Sequence, residues 1–242
     1  MRRLFLFLAL LWSAPSWAAA PTVTSTYNGS GTSGATSTIS NVACSGSNTL
    51  LVVFAGSLSE NVPTGITKGS SSLTKLTEGD FGGVDFGSIW YLKAASNSSE
   101  TVTATWGTSP ASGAAASAFC LSDVDQTTTF GTPALGTDSR TNVDALPVSG
   151  SAADDLIIAL VSFQSGGGKT ISADVGTTKQ TDINPLGGWT IVSGTHASGT
   201  SQSPAWTMSA SDSWLHIVVN VLGTGGGGGG GPNTQFFKRR IQ

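Results

Sequence analysis

The chain has 242 residues, a formal net charge of −3 and a charged fraction of only 10%, against roughly 25% in an ordinary globular protein. This length is enough for one β-rich domain of about 200 residues or two of about 100. The low charge leaves no basic field for phosphates, which excludes nucleic acid as an expected partner. Serine, threonine, glycine and alanine replace the charged residues, so we expect a neutral surface rich in hydroxyl groups.

The N-terminal segment has the pattern of a bacterial secretory signal. Arg2-Arg3 precedes an apolar stretch that ends at Trp12, and Ser16-Trp17-Ala18 fits a small-x-small cleavage site. The apolar stretch is too short to span a bilayer comfortably. We therefore expect residues 1–18 to be a signal peptide that meets the membrane only during export, the alternative being an uncleaved anchor. The mature chain is then secreted, extracellular or periplasmic.

The chain contains two cysteines, Cys44 and Cys120. In an oxidising compartment an even pair predicts a disulfide. The closed loop of about 77 residues would stabilise the fold by roughly 4 kcal/mol in the chain-entropy model. The alternative is a pair of buried thiols packed as small apolar side chains.

Two apolar runs bounded by turn residues, at 50–56 and 156–163, predict central strands buried on both faces. Residues 101–106 alternate strictly, so Val102, Ala104 and Trp106 are expected to face inward. Further strands are expected at 88–93 and 114–121, with a weaker strand pair at 66–76 and a turn at 78–83.

The order of these elements recurs about 100 residues later. Leu50 and Leu156 lie 106 residues apart, and Trp106 and Trp206 lie 100 residues apart. The second pair is expected to fill the core, because large aromatic side chains dominate β cores. The pattern predicts two sequence repeats of about 100 residues, the first at about 22–130 and the second at about 131–224.

Sustained helical periodicity is missing from both repeats, and turn residues recur about every ten positions, as in β-sandwiches. We therefore expect an all-β fold: an antiparallel, jelly-roll-like β-sandwich built from the two repeats within a domain at 19–224. The repeats could form two tandem sandwiches, or the interleaved halves of one. The short connection between them favours one.

Four segments share a further pattern: Trp90-Tyr91-Leu92-Lys93-Ala94-Ala95, the strand at 101–106, the alanine-rich strand that leads into 121–125, and the second-repeat opening at 155–158. Together they resemble a duplicated jelly-roll module of bacterial secreted proteins and of phage structural and tail-fibre-like proteins. The resemblance covers about residues 22–224 and implies no catalytic residues. The second repeat departs from it, because Thr190-Ile191-Val192-Ser193 stands where an aromatic-Leu-Lys segment is expected.

The C-terminal segment has a different composition. Residues 225–231 are seven glycines, which predict a flexible linker. The tail at 232–242 combines two aromatic residues with three cations, which suggests a peptide that docks on a partner. The expected docking residues are Phe236, Phe237, Lys238, Arg239 and Arg240. The alternative is a frayed terminus.

Three residues are weak candidates for ligand binding. Trp189 follows Gly187-Gly188 and is the best candidate for an exposed, sugar-stacking tryptophan. Trp90 could also stack on a sugar, and His196 is expected in a loop. His216 lies in a strand between apolar neighbours and is expected to be hydrogen-bonded or solvated.

Other chemistry has less support. Carboxylates could hydrolyse glycosides in pairs, but most of the candidates lie in expected loops: Glu60, Glu78, Asp80, Asp85 and Glu100. Asp123 and Asp125 could bind Ca²⁺, although a turn cap is the simpler interpretation. Residues 166–170 have the wrong spacing for a phosphate loop and predict a hairpin turn. We expect no cofactor and no metal site.

These observations favour a non-enzymatic exported module that acts at a surface. It could be an adhesion or glycan-binding protein, or a structural subunit of a cell surface or virion, with possible self-association. The alternative is a secreted glycan-active hydrolase with paired carboxylates. Exposed aromatic residues on a loop face would favour binding, and two facing carboxylates in a cleft would favour catalysis.

Overall fold

The computed structural model describes residues 19–224 apart from 30, 32, 33, 59, 60, 84, 111, 112, 149–151, 165–168, 185–188 and 198–203. The predicted signal peptide, the polyglycine linker and the tail therefore lie outside the described residues. Within the described part all fifteen regular elements are β-strands, and it holds no helix capable of crossing a membrane.

Nine strands belong to the first half of the chain. They are β1 (Thr22–Asn28), β2 (Thr36–Val42), β3 (Leu50–Ser57), β4 (Gly65–Lys68), β5 (Ser71–Ser72), β6 (Thr74–Phe81), β7 (Asp85–Lys93), β8 (Glu100–Thr105) and β9 (Ala114–Ser122). Six strands belong to the second half. They are β10 (Ala134–Val143), β11 (Leu156–Gln164), β12 (Ile171–Ala173), β13 (Thr177–Ile183), β14 (Trp189–Ala197) and β15 (Trp206–Val221).

Three antiparallel sheets form from these strands. Inner sheet 1 has the order β1-β9-β3-β7-β6, and inner sheet 2 has the order β10-β15-β11-β14-β13. The outer sheet, β2-β8-β4-β5, covers the far face of inner sheet 1. On the far face of inner sheet 2, β12 pairs with the first residues of the long strand β15. The two apolar runs become the central strands β3 and β11, as expected of strands that are buried on both faces.

Three apolar cores separate these layers. Outer core 1 lies between the outer sheet and inner sheet 1 and includes Ile66, Trp90 and Trp106. The central core joins the two inner sheets, where Phe54 and Phe119 stack with ring centroids 4.9 Å apart. Outer core 2 lies beyond inner sheet 2 and surrounds Trp206. Successive side chains of β3 and β11 point alternately into the central core and into an outer core, which explains why both strands are apolar throughout.

The two inner sheets are related as a two-fold axis would relate them. Their strand orders match when β1, β9, β3, β7 and β6 are set against β10, β15, β11, β14 and β13. β1 lies against β13, and β10 lies against β6. Such reciprocal contacts are typical of an isologous interface between two copies. The duplication of the sequence itself stays a prediction.

The all-β antiparallel sandwich predicted from the sequence is confirmed. The strand pairing does not interleave the halves, since each inner sheet draws its described strands from one half of the chain. Residues 78–81, expected in a turn, belong to β6, and Gly82 and Gly83 make the turn instead. Both of these glycines have positive φ, 58° and 74°, so the tight hairpin is placed where glycine tolerates it.

The register of the strands changes the predicted position at which the two halves differ. Leu50 pairs with Lys93 and Leu156 pairs with Ala197, so Trp90 is equivalent to Gly194 rather than to Thr190. A Cβ on Gly194 would come within 2.5 Å of Trp206 Cη2. Where the first half has Trp90, the second half therefore has Gly194, and the ring of Trp206 occupies the space beside this glycine.

A disulfide joins Cys44 and Cys120, whose Cα atoms are 5.2 Å apart. Cys120 lies on β9 and Cys44 lies in the segment between β2 and β3. Both side chains belong to outer core 1. The cross-link thus connects the two layers of the first half, and it is compatible with an oxidising compartment.

Candidate functional site

A pocket opens where four strands of the second half end. Trp189 is the first residue of β14, where its backbone pairs with Gln164, and Thr190 pairs with Phe163. We call the depression beside these strand ends the Thr190 pocket. Its volume is about 190 Å³, and its lining includes Phe163, Lys169, Ile171, Asp182, Asn184 and Thr190. This volume is below the roughly 300–1,000 Å³ of pockets for drug-sized ligands, and it suits a single small ring.

The rim of the Thr190 pocket is polar but electrically balanced. Lys169 Nζ lies 2.6 Å from a carboxylate oxygen of Asp212, and Lys179 Nζ lies 2.6 Å from Asp182 Oδ2. Asn184 adds an amide, which offers both donors and an acceptor. The pocket therefore offers hydrogen-bonding groups of both kinds without an uncompensated charge.

The hydroxyl group of Thr190 is the best-defined feature of the pocket. The residue is only 3% exposed, and its Oγ1 has no hydrogen-bond partner among the described residues. Leaving a buried hydroxyl unpaired costs about 1–3 kcal/mol. A ligand hydroxyl that enters the pocket would remove this cost. Phe163, fully buried beneath the pocket, supplies an apolar floor.

The structure separates the three residues expected to bind a ligand. Trp189 is the first residue of β14, in a strand rather than in the expected loop, and its backbone pairs with that of Gln164. Trp90 is buried in outer core 1, where Nε1 donates to Ser88 Oγ at 2.9 Å, so it has no open face for a sugar. His196 is half-buried within β14, also not a loop, and its ring packs over Gly176.

Two of the carboxylates proposed for hydrolysis lie close together, and the others that the structure describes lie apart from them. Glu78 and Asp80 lie on the edge strand β6. Glu100 accepts from the buried Lys68 Nζ at 2.5 Å, and this bond with that from Ser96 lowers its pKa. Glu60 lies outside the described residues.

Asp85 is the exceptional carboxyl group of the chain. It is fully buried at the start of β7, and both of its oxygens lack a partner among the described residues. Burial, with a smaller contribution from the charge of Asp212, raises its pKa from 3.8 to about 7. Two carboxyl groups with separated pKa values are typical of acid and base roles. With no exposed surface, however, Asp85 offers a substrate no contact.

His216 is buried rather than solvated. Its Nδ1 lies 3.2 Å from the backbone oxygen of Asp144, while Nε2 has no partner in the described part of the chain. Burial lowers the pKa of the imidazole to about 4, although the hydrogen bond to Asp144 opposes this shift. At neutral pH the ring is therefore uncharged.

Asp123 and Asp125 act as caps for local structure. Asp123 accepts from Ser47 Oγ at 2.8 Å and from Ser122 Oγ at 2.9 Å. Asp125 accepts from the backbone N–H groups of Thr127 and Thr128 at 2.7 and 3.1 Å. Across the described ranges no three His, Cys, Asp or Glu side chains gather as metal ligands would. The turn-cap interpretation accounts for Asp125, whereas the carboxylate of Asp123 pairs with two serine hydroxyl groups.

Sequence analysis missed most of the Thr190 pocket. Lys169, the end of β13 with Asp182 and Asn184, and Thr190 come from three separate segments, and the pairing of β13 with β14 brings the last two together. The glycine-rich pattern predicts a hairpin turn for Lys169 and Thr170, but both residues lead into β12, and residues 165–168 lie outside the described residues. The one signal in the sequence is Trp189, which directly precedes Thr190.

Comparisons with protein-family models, curated proteins and solved structures found no match. The resemblance to a duplicated jelly-roll module of secreted and phage proteins therefore stays a prediction.

Proposed function

We propose that the protein is a non-enzymatic exported surface module that binds a glycan, with the Thr190 pocket as its binding site. One observation carries this proposal: a buried Thr190 hydroxyl group, with no partner among the residues that the structure describes, lines a small polar pocket. Sugars present several hydroxyl groups on a compact ring, so they can pair with donors and acceptors that surround a small space.

The charge balance of the pocket supports a neutral sugar. Both cations near the rim are already paired with carboxylates, so an anionic ligand would have to displace an ion pair. The carboxylate of Asp182 and the amide of Asn184 can instead accept from and donate to ligand hydroxyls.

A glycan array with the mature chain, followed by calorimetric titration of the best ligand, tests the proposal. Thr190→Val keeps the shape of the side chain and removes its hydroxyl group. It should lower affinity about five- to tenfold, since a neutral hydrogen bond contributes roughly 1 kcal/mol. The free energy of unfolding should not fall, because the unpaired hydroxyl is lost.

Asn184→Ala should weaken the same titration, and the matched control Asn142→Ala, an exposed residue of β10, should not. If the array shows a ligand whose affinity is unchanged by both Thr190→Val and Asn184→Ala, the site lies elsewhere. The absence of any glycan binding would remove the proposed function.

The hydrolase alternative has weaker structural support. Asp85 has the pKa of a general acid but no exposure, and the two candidates that lie close together, Glu78 and Asp80, are both exposed on the edge strand β6. A hydrolysis screen against the same glycans checks this alternative. Turnover that is lost in Asp85→Asn or Asp212→Asn, but kept in Thr190→Val, would replace our proposal with catalysis.

A further inference from the structure

The folded domain and the tail carry opposite charge. Residues 19–224 contain all 14 acidic residues of the chain but only six of its 11 basic ones. Each of those six cations is engaged, five of them in ion pairs and Lys93 with a backbone oxygen. Residues 236–240 add three cations and two phenylalanines. The domain is therefore a net acidic partner for its own tail.

A depression on inner sheet 1 combines the two properties that such a tail requires. We call it the acidic depression; it has a volume of about 220 Å³ and is lined by Val62, Glu78, Gly79, Asp80 and Phe86. Val62 and Phe86 are half-buried and provide apolar surface, while Glu78 and Asp80 are exposed carboxylates. The Thr190 pocket, in contrast, has its charged groups in ion pairs of opposite sign and offers no excess of carboxylates.

The carboxylates of the acidic depression are available for exchange. Glu78 pairs with Lys75 at 2.7 Å, but both side chains are exposed, by 47% and 39%, and exposed pairs of this kind are weak. Asp80 Oδ1 accepts from the backbone N–H of Gly83 at 3.1 Å. A cluster of cations can therefore replace Lys75 at little cost.

The acidic depression and the end of the folded chain lie at opposite ends of inner sheet 1. Thr224 donates its backbone N–H to Asp123 O, next to the end of β9, where Leu121 pairs with Leu50. Phe86 pairs with Ser57 at the other end of β3. Seven residue steps along β3 span about 23 Å. The 11 residues between Thr224 and Phe236 reach about 17–20 Å on average, so a contact within one chain requires the linker to stretch beyond its average length, whereas a contact with a second copy does not.

We propose that residues 236–240 of one copy dock in the acidic depression of a second copy, with the phenylalanines against Phe86 and Val62 and the cations beside Glu78 and Asp80. Donor and acceptor lie at opposite ends of the domain, so the contact is heterologous. Repeated head-to-tail contacts that do not close produce a linear assembly. This inference does not depend on glycan binding.

Two charge-reversed forms of the mature chain test the docking. The first carries Glu78→Lys and Asp80→Lys, and the second carries Lys238→Glu, Arg239→Glu and Arg240→Glu. Light scattering against concentration should show that the parent associates and that each variant alone associates at least tenfold more weakly. An equal mixture should recover association, because each tail then meets a depression of opposite charge. The recovery also shows that both variants are folded.

Asp144→Lys with Asp174→Lys, two exposed positions outside the depression, changes the net charge equally and should leave association unchanged. The proposal is overturned if the parent stays monomeric or if the mixture of the two variants fails to associate. It is also overturned if the tail contact does not depend on concentration, because the tail then binds its own chain. Binding to anionic phospholipid vesicles gives a further check. The proposal is also wrong if the parent and the Glu78→Lys, Asp80→Lys form bind such vesicles equally well through the tail while the chains stay monomeric.

Discussion

The two halves of the molecule have equivalent inner sheets but differ in how their outer cores treat polar groups. In outer core 1 the Trp90 indole donates to Ser88 Oγ, which donates to Ala55 O at 3.1 Å. In outer core 2 the indole nitrogens of Trp206 and Trp214 have no partner among the described residues. The first half has one such indole, that of Trp106. The first half also contains the disulfide.

This difference suggests that the first half stabilises the fold and the second half holds the binding site. Each unpaired buried polar group costs about 1–3 kcal/mol. Among the described side chains, seven such atoms lie in the second half and three lie in the first, two of them the oxygens of Asp85. The Thr190 pocket lies in the half that has more of them. Binding sites commonly hold groups that the folded chain alone leaves unsatisfied, and the cross-linked first half would offset the loss.

Removing the disulfide should have the largest effect on this comparison. Replacing both Cys44 and Cys120 with alanine should lower the free energy of unfolding by about 4 kcal/mol in the chain-entropy model. Because the central core joins both halves, guanidinium unfolding followed by tryptophan fluorescence should still show one transition. Two separate transitions in the parent would mean that the halves fold independently.

The pH dependence of stability should reveal the next largest effect. The folded state holds the proton of Asp85 more tightly than the unfolded state does, since its pKa rises from 3.8 to about 7. The free energy of unfolding therefore falls as pH rises through this window, by up to about 4 kcal/mol. His216, whose pKa falls from 6.5 to about 4, acts in the opposite direction, so its contribution is lost as pH falls through that range.

The two slopes should nearly cancel between pH 4 and 6.5 in the parent. Asp85→Asn should leave a free energy of unfolding that rises with pH across this range, and His216→Gln should leave one that falls. Urea unfolding at half-unit pH steps measures both. If each variant keeps the flat profile of the parent, the two groups do not titrate as their burial requires.

A smaller effect should come from filling the space that distinguishes the second half. A Cβ on Gly194 would lie 2.5 Å from Trp206 Cη2 and 2.8 Å from Thr178 O. Gly194→Ala should therefore cost about 1–3 kcal/mol, as overpacking does. Gly65→Ala, where a Cβ meets nothing within 4 Å, is the matched control in thermal unfolding. Equal melting temperatures for the two variants would show that Trp206 can move aside.

The sequence predicted the layers better than it predicted the site. Apolar runs and strict alternation identified β3, β8 and β11, because burial on one or two faces leaves a direct trace in a strand. The expected turn at 78–83 was mostly wrong, since β6 is an edge strand whose exposed polar residues look like a loop. The sequence predicts Trp90 as a possible ligand contact, but the outer sheet covers its side chain, and local sequence does not reveal that cover.

The Thr190 pocket depends on pairing between distant strands. Thr190 is an ordinary strand threonine in the sequence, and its unpaired hydroxyl becomes visible only beside Phe163 and Asn184. Asp85 was considered only as one carboxylate among five. Its burial follows from the packing of β7 against inner sheet 2, which local sequence does not encode.

Amide chemical-shift mapping of the mature chain with the best glycan tests the account most directly, because it locates the ligand without assuming the site. We predict that the largest shifts fall at Phe163, Ile171, Asp182 and Thr190, while the equivalent strand ends of the first half, such as Ser57 and Asp85, stay unchanged. Shifts centred on the first half, or spread equally over both halves, would contradict the claim that the second half holds the binding site.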